Sequence, residues 1–397
     1  MQNESDWVLG LLQEYKRVTH STPLFISDWD TLNEQAEYPF QFIRKALDIA
    51  PEKTLTYSFS DEQEEIKNLI IAKLSNVQSL SVNNLAISIS ATAAIYLSLL
   101  ALYRSGLKHF VVLTPVYYSI VETLAEQGLE VHYFHLTDAN AFEIDLLKLE
   151  ELIIETRAEV LAINDPIYCV GKKLAAETLV QLVDLCNRNH CLIFLDNTLG
   201  GLDWAGLDPQ IIEENKLLVL SKAHRFLMID SLTKKLLVNG LKHAVVFANE
   251  NLITLIEDIA SRVYGGISFP QLQFMTELYQ ESSNIELNGI LKDNAQLIRN
   301  NYQLLTAFLS DKPFKLYAAQ SGYFTMIAHE RYLCCEVDIR SQVTGYLYDL
   351  NTFLLPPWYF NFSAGNHFGL RVNLLKDASV YLSALDECIR KKVKLLH

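Results

Sequence analysis

A lysine framed by hydroxyl side chains stands between two apolar runs near the middle of the sequence. Ser231 and Thr233 precede Lys234, and the apolar runs at residues 226–229 and 244–247 are typical of strands. An amine held at a strand end by hydroxyl neighbours suits covalent chemistry, in which it forms a Schiff base with an aldehyde. The alternative interpretation is an ordinary surface lysine in a polar turn.

Two other segments carry polar side chains where an apolar strand gives way to the next element. Asp196 follows the apolar run at residues 192–195, and Ser90, Ala91 and Thr92 join a strand to a helix. Backbone N–H groups at the start of a helix bind phosphate, so the second segment is a candidate phosphate site. Both segments also have a structural interpretation, because Asp and Ser are common at helix N-caps.

The lysine segment resembles the motif of fold-type-I pyridoxal-phosphate (PLP) enzymes, in particular the class I/II aminotransferase family. That motif runs Ser-x-Ser/Thr-Lys and continues, after a fixed gap, with Gly-Leu-Arg. The matching residues are Ser231, Thr233, Lys234, Gly240, Leu241 and Lys242. The resemblance extends over residues 50–375, with the motifs in the family's order. Lys222 also follows a predicted strand but lacks the spaced Gly-Leu-Lys, so we favour Lys234.

The resemblance implies that PLP is the cofactor and that Lys234 is its Schiff-base lysine. It also implies that Asp196 pairs with the protonated pyridine nitrogen and helps the ring to act as an electron sink. The residues that match the family's phosphate-binding positions are Ala91, Thr92, Ser231 and Lys242. Lys242 stands where the family has arginine, so the positive charge is kept while the bidentate geometry of a guanidinium is lost.

Three further residues acquire a role through the resemblance. Tyr117 matches the aromatic residue that stacks on the cofactor ring. Arg371 matches the arginine that binds the substrate's α-carboxylate, and an arginine within an apolar strand is costly unless it is paired. Tyr57 matches a tyrosine that reaches the partner's cofactor phosphate, which implies a homodimer with shared active sites. Without the resemblance, packing in the core explains the two tyrosines as well.

The sequence departs from the family at two positions that contact the hydroxyl of the cofactor ring. Residues 165–171 replace the family's Asn-Pro-x-Asn-Pro-Thr-Gly, and Tyr168 falls where an asparagine is expected. Leu199 replaces the usual tyrosine three residues after Asp196. Our hypothesis is that the Tyr168 hydroxyl supplies a substitute hydrogen bond.

Composition limits the classes of protein and partner. The chain has 397 residues, 50% hydrophobic and 20% charged, which allows a large and a smaller globular domain. Its net charge of −14 argues against nucleic acid as a partner. The six cysteines form no Cys-x-x-Cys pair, we predict no metal site, and no signal-peptide pattern opens the sequence. We therefore expect a cytoplasmic protein with reduced thiols.

One uncharged run, at residues 85–103, is long enough to mimic a membrane span. Its first half alternates like a strand and its second half has the spacing of a helix. A buried strand followed by a helix explains the run better, so no membrane association is expected.

Alternating strand and helix patterns predict an α/β fold. It has a large domain with a mainly parallel sheet flanked by helices, plus a smaller C-terminal α/β domain, as in PLP fold type I. We assign residues 1–50 to an N-terminal arm and part of the small domain, 51–290 to the large PLP-binding domain and 291–397 to the small domain. A helix is predicted over residues 38–49. Ligands of such sheets bind beyond the carboxyl ends of the strands, where most of the candidate residues fall.

The sequence therefore predicts a PLP-dependent enzyme that acts on an amino acid, and aminotransfer to a keto acid is the first choice. A PLP-dependent lyase, cyclase or oxidase of a biosynthetic pathway is the second, because the contacts to the ring hydroxyl are altered. A degenerate, non-catalytic PLP-fold protein is the third. The changes at residues 168, 199 and 242 favour that third interpretation, whereas the joint presence of Lys234, Asp196 and Arg371 opposes it.

Overall fold

The computed structural model describes residues 4–28, 43–44, 48, 60–74, 76–205, 209–357, 361–363 and 365–396. Tyr57 and most of the helix predicted over residues 38–49 lie outside these described residues.

A seven-stranded sheet forms the centre of the molecule. Its strand order is β2-β8-β7-β6-β5-β3-β4, and β8 runs in the direction opposite to the other six strands. The strands are β2 (Leu85–Ser88), β3 (His109–Thr114), β4 (Glu130–His135), β5 (Val160–Asn164), β6 (Leu192–Asp196), β7 (Phe226–Asp230) and β8 (Ala244–Ala248). Five strands are buried along their whole length: β2, β5, β6, β7 and β8. This burial explains their continuous apolar sequences. The mainly parallel sheet predicted from the sequence is confirmed.

Helices cover both faces of this sheet. Side chains of β3 alternate between two hydrophobic clusters, with Phe110 and Val112 in one and Val111 and Leu113 in the other. The helices are α1 (Glu4–Thr19), α2 (Ser60–Lys73), α3 (Ala91–Arg104), α4 (Tyr118–Glu126), α5 (Leu146–Thr156), α6 (Ala176–Arg188), α7 (Pro209–Leu220), α8 (Leu232–Lys235), α9 (Glu250–Val263), α10 (Phe269–Tyr279), α11 (Asn284–Leu309), α12 (Ile339–Leu350) and α13 (Ala378–Arg390). Helix α8, a single turn between β7 and β8, was not predicted, because its sequence is typical of a polar turn.

The run at residues 85–103 forms β2 and most of α3, as the sequence analysis favoured. Ser90 caps α3, and its side-chain oxygen accepts a hydrogen bond from the Ala93 N–H at 3.1 Å. In the part of the chain that the structure describes, no helix combines the length and apolar character needed to cross a membrane.

The C-terminal part contains a smaller antiparallel sheet. Its strands are β9 (Phe314–Leu316), β10 (Phe324–Leu333) and β12 (His367–Asn373), in the order β12-β10-β9. The N-terminal β1 (Leu24–Phe25) pairs in parallel with β11 (Thr352–Phe353), so this N-terminal segment packs against the C-terminal part. The predicted domain boundary at residue 290 falls inside α11 and stays a prediction.

A glycine allows the loop after β5 to lie directly against the C-terminal part. Gly171 has φ +73°, and a Cβ at this position would be 2.8 Å from the Cβ of Ala319. The Gly171 carbonyl accepts hydrogen bonds from the N–H groups of Gln320 at 2.8 Å and Ser321 at 3.0 Å. This close approach holds the loop that carries Tyr168 beside the C-terminal sheet.

Candidate functional site

A cavity of about 390 Å³ lies at the edge of the central sheet where the parallel strands end. Its walls contain Asn164 and Asp196, the last residues of β5 and β6, and Ser231, which follows β7. Eight of the residues predicted from the sequence line it: Ala91, Thr92, Tyr117, Tyr168, Asp196, Ser231, Lys234 and Lys242. The cavity therefore brings together segments that are far apart in the sequence, from Ser90 to His243.

Lys234 lies on the single turn of α8, which Ser231 caps by accepting a hydrogen bond from the Thr233 N–H at 3.3 Å. The Lys234 ammonium donates a hydrogen bond to the Asn239 side-chain oxygen at 2.9 Å. Lys222, the competing candidate, is exposed and does not line this cavity. Of the two lysines, only Lys234 therefore has access to a ligand in the cavity.

Asp196 is a buried carboxylate that the chain holds in place with three hydrogen bonds. The Asn164 side-chain amide donates to one oxygen at 2.6 Å, while the Thr198 N–H at 3.0 Å and hydroxyl at 2.5 Å donate to the other. Burial raises the pKa of Asp196, and the bonds from Thr198 and Asn164 oppose that rise. A positively charged group in the cavity would favour the ionised carboxylate.

Asn164 and Thr198 are site residues that the sequence analysis missed. Thr198 had a local signal, since a hydroxyl two residues after Asp196 can bond back to its carboxylate. Asn164 had none, because it meets Asp196 only through the pairing of β5 with β6.

One end of the cavity carries hydrogen-bond donors and a positive charge. Ala91 and Thr92 occupy the first turn of α3, where backbone N–H groups point outward, and Lys242 is exposed at the rim. The Ser231 hydroxyl donates to the His243 carbonyl at 2.5 Å, so its proton is already used within the protein. This end suits an anion such as phosphate.

Aromatic rings form one wall of the cavity. The ring of Tyr117 lies edge-on to those of Tyr118 and Tyr168, with centroid distances of 4.8 and 5.5 Å. The Tyr117 N–H donates to the Asn164 side-chain oxygen at 3.3 Å, and its hydroxyl lies 3.3 Å from that of Thr92. Leu199 also lines the cavity. The wall offers apolar ring surfaces that are inclined to one another by 61°, together with hydroxyl groups.

Arg371 lies behind this wall and does not line the cavity. It is fully buried on β12, and its guanidinium lies 4.0 Å from the centre of the Phe324 ring. One N–H donates to the Tyr168 hydroxyl at 3.0 Å and another to the Ser27 carbonyl. Tyr168 therefore connects Arg371 with the cavity.

The family model for aminotransferase class I and II matches residues 23–367. The chain belongs to the class I and II aminotransferase family. The aspartate aminotransferase of Sulfolobus acidocaldarius is 23% identical over 238 residues, a match that covers 58% of this chain and 57% of that relative. The chain thus aligns with little more than half the length of this relative.

Solved structures share the fold of this class I and II family member over nearly the whole chain. An aminotransferase from Escherichia coli has a TM-score of 0.81 at 16% identity, covering 97% of this chain and 95% of that one. The aspartate aminotransferase from Rhizobium meliloti has a TM-score of 0.79 at 14% identity, covering 96% and 94%. At such identities the likeness shows the fold.

The class I and II aminotransferase family uses PLP, and the lining of the cavity matches the chemical parts of that molecule. A buried carboxylate at Asp196 suits a protonated ring nitrogen, and the first turn of α3 with Lys242 suits a phosphate. Tyr117 offers a ring surface and Lys234 an amine. The cavity volume lies within the usual range for small-ligand sites, roughly 300–1,000 Å³.

His243, in the cavity wall next to Lys242, makes stability depend on pH. Burial lowers its pKa to about 4, so the folded protein keeps this imidazole neutral where the unfolded chain protonates it. We expect its contribution to the free energy of unfolding to fall by about 3 kcal/mol as the pH drops from about 6.5 to about 4. The measurement is urea unfolding of the protein and of His243→Asn across this pH range. The difference between their free energies of unfolding should change with pH by the predicted amount, because the variant lacks the imidazole. A constant difference would contradict it.

Proposed function

We propose that this chain is a PLP-dependent aminotransferase that moves an amino group from an amino acid to a keto acid. The observation that carries the proposal is the convergence of Lys234, Asp196 and the N-terminal turn of α3 on one cavity. When bound, PLP supplies an aldehyde for the Lys234 amine and a ring that takes up the electrons of the substrate's Cα–H bond.

Several residues of the cavity lining have a defined role in this proposal. Lys234 would hold the cofactor and, with its amine free again, would accept the proton that leaves the substrate's Cα. Asp196, oriented by Asn164 and Thr198, keeps the ring nitrogen protonated. Tyr117 supports the ring face. Ala91, Thr92, Ser231 and Lys242 would surround the phosphate, and the Ser231 hydroxyl would have to leave the His243 carbonyl before it could donate to a phosphate oxygen.

The substrate carboxylate and the partner subunit belong to the same proposal. Arg371 is the candidate group for the α-carboxylate. Its guanidinium now donates to the Tyr168 hydroxyl, so either the Tyr168 side chain moves aside or the carboxylate and this hydroxyl accept from the guanidinium together. A homodimer in which Tyr57 completes the partner's phosphate site is the expected assembly.

A half-reaction tests the proposal. The purified protein, loaded with PLP, is mixed with one amino acid at a time and no keto acid. Aspartate comes first because the Sulfolobus relative is an aspartate aminotransferase. We expect one keto acid per site, with the cofactor left in its amine form. A protein that binds PLP yet releases no keto acid with any amino acid contradicts transamination.

A second candidate function keeps PLP but ends in elimination, decarboxylation, cyclisation or oxidation. It is favoured by Tyr168 and Leu199, which stand at the two positions that usually contact the ring hydroxyl. In the half-reaction this alternative consumes the amino acid without leaving the amine form of the cofactor.

Removal of the Tyr168 hydroxyl tests its proposed contact with the ring oxygen. A hydroxyl that donates to this oxygen stabilises its negative charge and weakens its hold on the proton of the nearby nitrogen. In Tyr168→Phe, the pH at which the visible absorbance of the PLP-loaded protein changes should rise by about one unit. Tyr118→Phe, which alters another tyrosine of the same wall, is the control and should leave that pH in place. An unchanged titration in Tyr168→Phe argues against the contact.

A further inference from the structure

Helix α7 sends two charged side chains into the protein beneath the cavity. Glu213 and Lys216 lie three residues apart and therefore on one face of the helix. The buried Lys216 ammonium donates to the Asn197 side-chain oxygen at 2.6 Å and lies 2.6 Å from one Asp165 carboxylate oxygen. One cation thus joins the residues that follow the ends of two neighbouring strands, β5 and β6.

The same chain of contacts continues to the strand that precedes Lys234. The Asn197 amide donates to Asp230, the last residue of β7, at 3.3 Å. Lys235, which is fully buried, donates to the same Asp230 oxygen at 2.6 Å and to Glu213. Gly200 leaves room for this arrangement, because a Cβ there would overlap the Asn197 amide. We call Asp165, Asn197, Glu213, Lys216, Asp230 and Lys235 the buried charge network.

Three members of the network are next to, or close to, a residue of the proposed site. Asp165 is three residues before Tyr168, Asn197 follows Asp196, and Lys235 follows Lys234. None of the six network residues lines the cavity, so the network holds these segments from outside it. A contact that fixes the neighbour fixes the backbone from which the site residue extends.

We propose that Lys216 is a positioning residue, which sets the relative placement of the segments carrying Tyr168, Asp196 and Lys234 through its contacts with Asp165 and Asn197. The inference rests on the proposed function, because it concerns the same site. Buried charges are costly unless they are paired, and this network pairs its charges across three strand ends. The network also acts on the site electrostatically, since the negative charge of Asp230 raises the pKa of Asp196.

The competing interpretation gives Lys216 a structural task only, the neutralisation of Asp165. Two variants separate the interpretations. Lys216→Met removes the ammonium and leaves Asp165 charged, which can prevent folding. The double variant Asp165→Asn with Lys216→Met removes both charges, so folding is spared, but the Asn197 oxygen still lacks its donor. Lys148→Met, at an exposed ion pair on α5, is the matched control.

Amide hydrogen exchange of the protein without PLP is the first measurement, and PLP affinity by equilibrium dialysis is the second. In the double variant we expect exchange at residues 196–199 and 231–236 to rise, and PLP affinity to fall, by at least about tenfold, because a displacement of ~1 Å is enough for such losses. Lys148→Met should match the unmodified protein in both. If Lys216→Met does not fold, the double variant alone tests the positioning role.

The two proposals fail in different ways. If the unmodified protein binds PLP and forms keto acid while the double variant matches it in exchange and affinity, the positioning role is overturned and the proposed function stands. If the unmodified protein does not bind PLP at all, both are overturned.

Discussion

Replacing Lys234 by alanine is expected to lower the rate of amino transfer by about 10²–10⁴-fold, the range associated with the loss of a positioned proton carrier. The side chain of Lys234 lines the cavity and donates to Asn239, whereas Lys242, the other lysine of the cavity lining, is exposed and lies on a separate segment after α8. No described lysine of the lining can therefore replace it in the same place. Steady-state turnover with an amino acid that passes the half-reaction gives the measurement.

The matched control for this variant is Lys222→Ala. Lys222 also follows an apolar segment, but it is exposed and does not line the cavity. Turnover of Lys222→Ala should equal that of the unmodified protein. A Lys234→Ala protein with normal turnover, or a loss confined to Lys222→Ala, would show that the wrong lysine has been assigned.

Replacing Asp196 by asparagine is expected to have the second-largest effect, a loss of about 10²–10³-fold in turnover. An amide keeps the size of the side chain and can still accept from Thr198, but it carries no negative charge to hold a proton on the ring nitrogen. The change therefore acts on the electronic state of the cofactor more than on the shape of the cavity.

The control for Asp196→Asn is Asp184→Asn, an exposed position on α6. Circular dichroism shows whether each variant has the fold of the unmodified protein, and turnover is compared at saturating PLP. Equal turnover in Asp196→Asn and in the unmodified protein would show that the negative charge of Asp196 is not needed for the reaction.

The sequence was sufficient to predict the central sheet and the residues at its edge. Strands such as β5 and β6 are buried on both faces, so their continuous apolar runs are distinctive, and Asp196 ends one of them. The parallel order then requires that such ends meet at one edge of the sheet. The assignment of Lys234, Tyr117 and Ala91 to one site came from the family resemblance, and the order of the strands is consistent with it.

The contacts that refine the site could not be predicted, because they join residues far apart in the sequence. The bond between Arg371 and Tyr168 spans 203 positions, and the bond between Asn164 and Asp196 spans 32. Lys216 gave no signal either, since an amphipathic helix with one lysine on its inner face reads as an ordinary surface helix. Only the packing of α7 against the sheet gives that lysine its partners.

The most direct test of the account is to find the lysine that binds PLP covalently. The purified protein is loaded with PLP, reduced with borohydride, digested and analysed by mass spectrometry. We predict one labelled peptide, with the added mass on Lys234 and none in Lys234→Ala. A label on Lys222 or on any other lysine, or no label at all, would contradict the central claim.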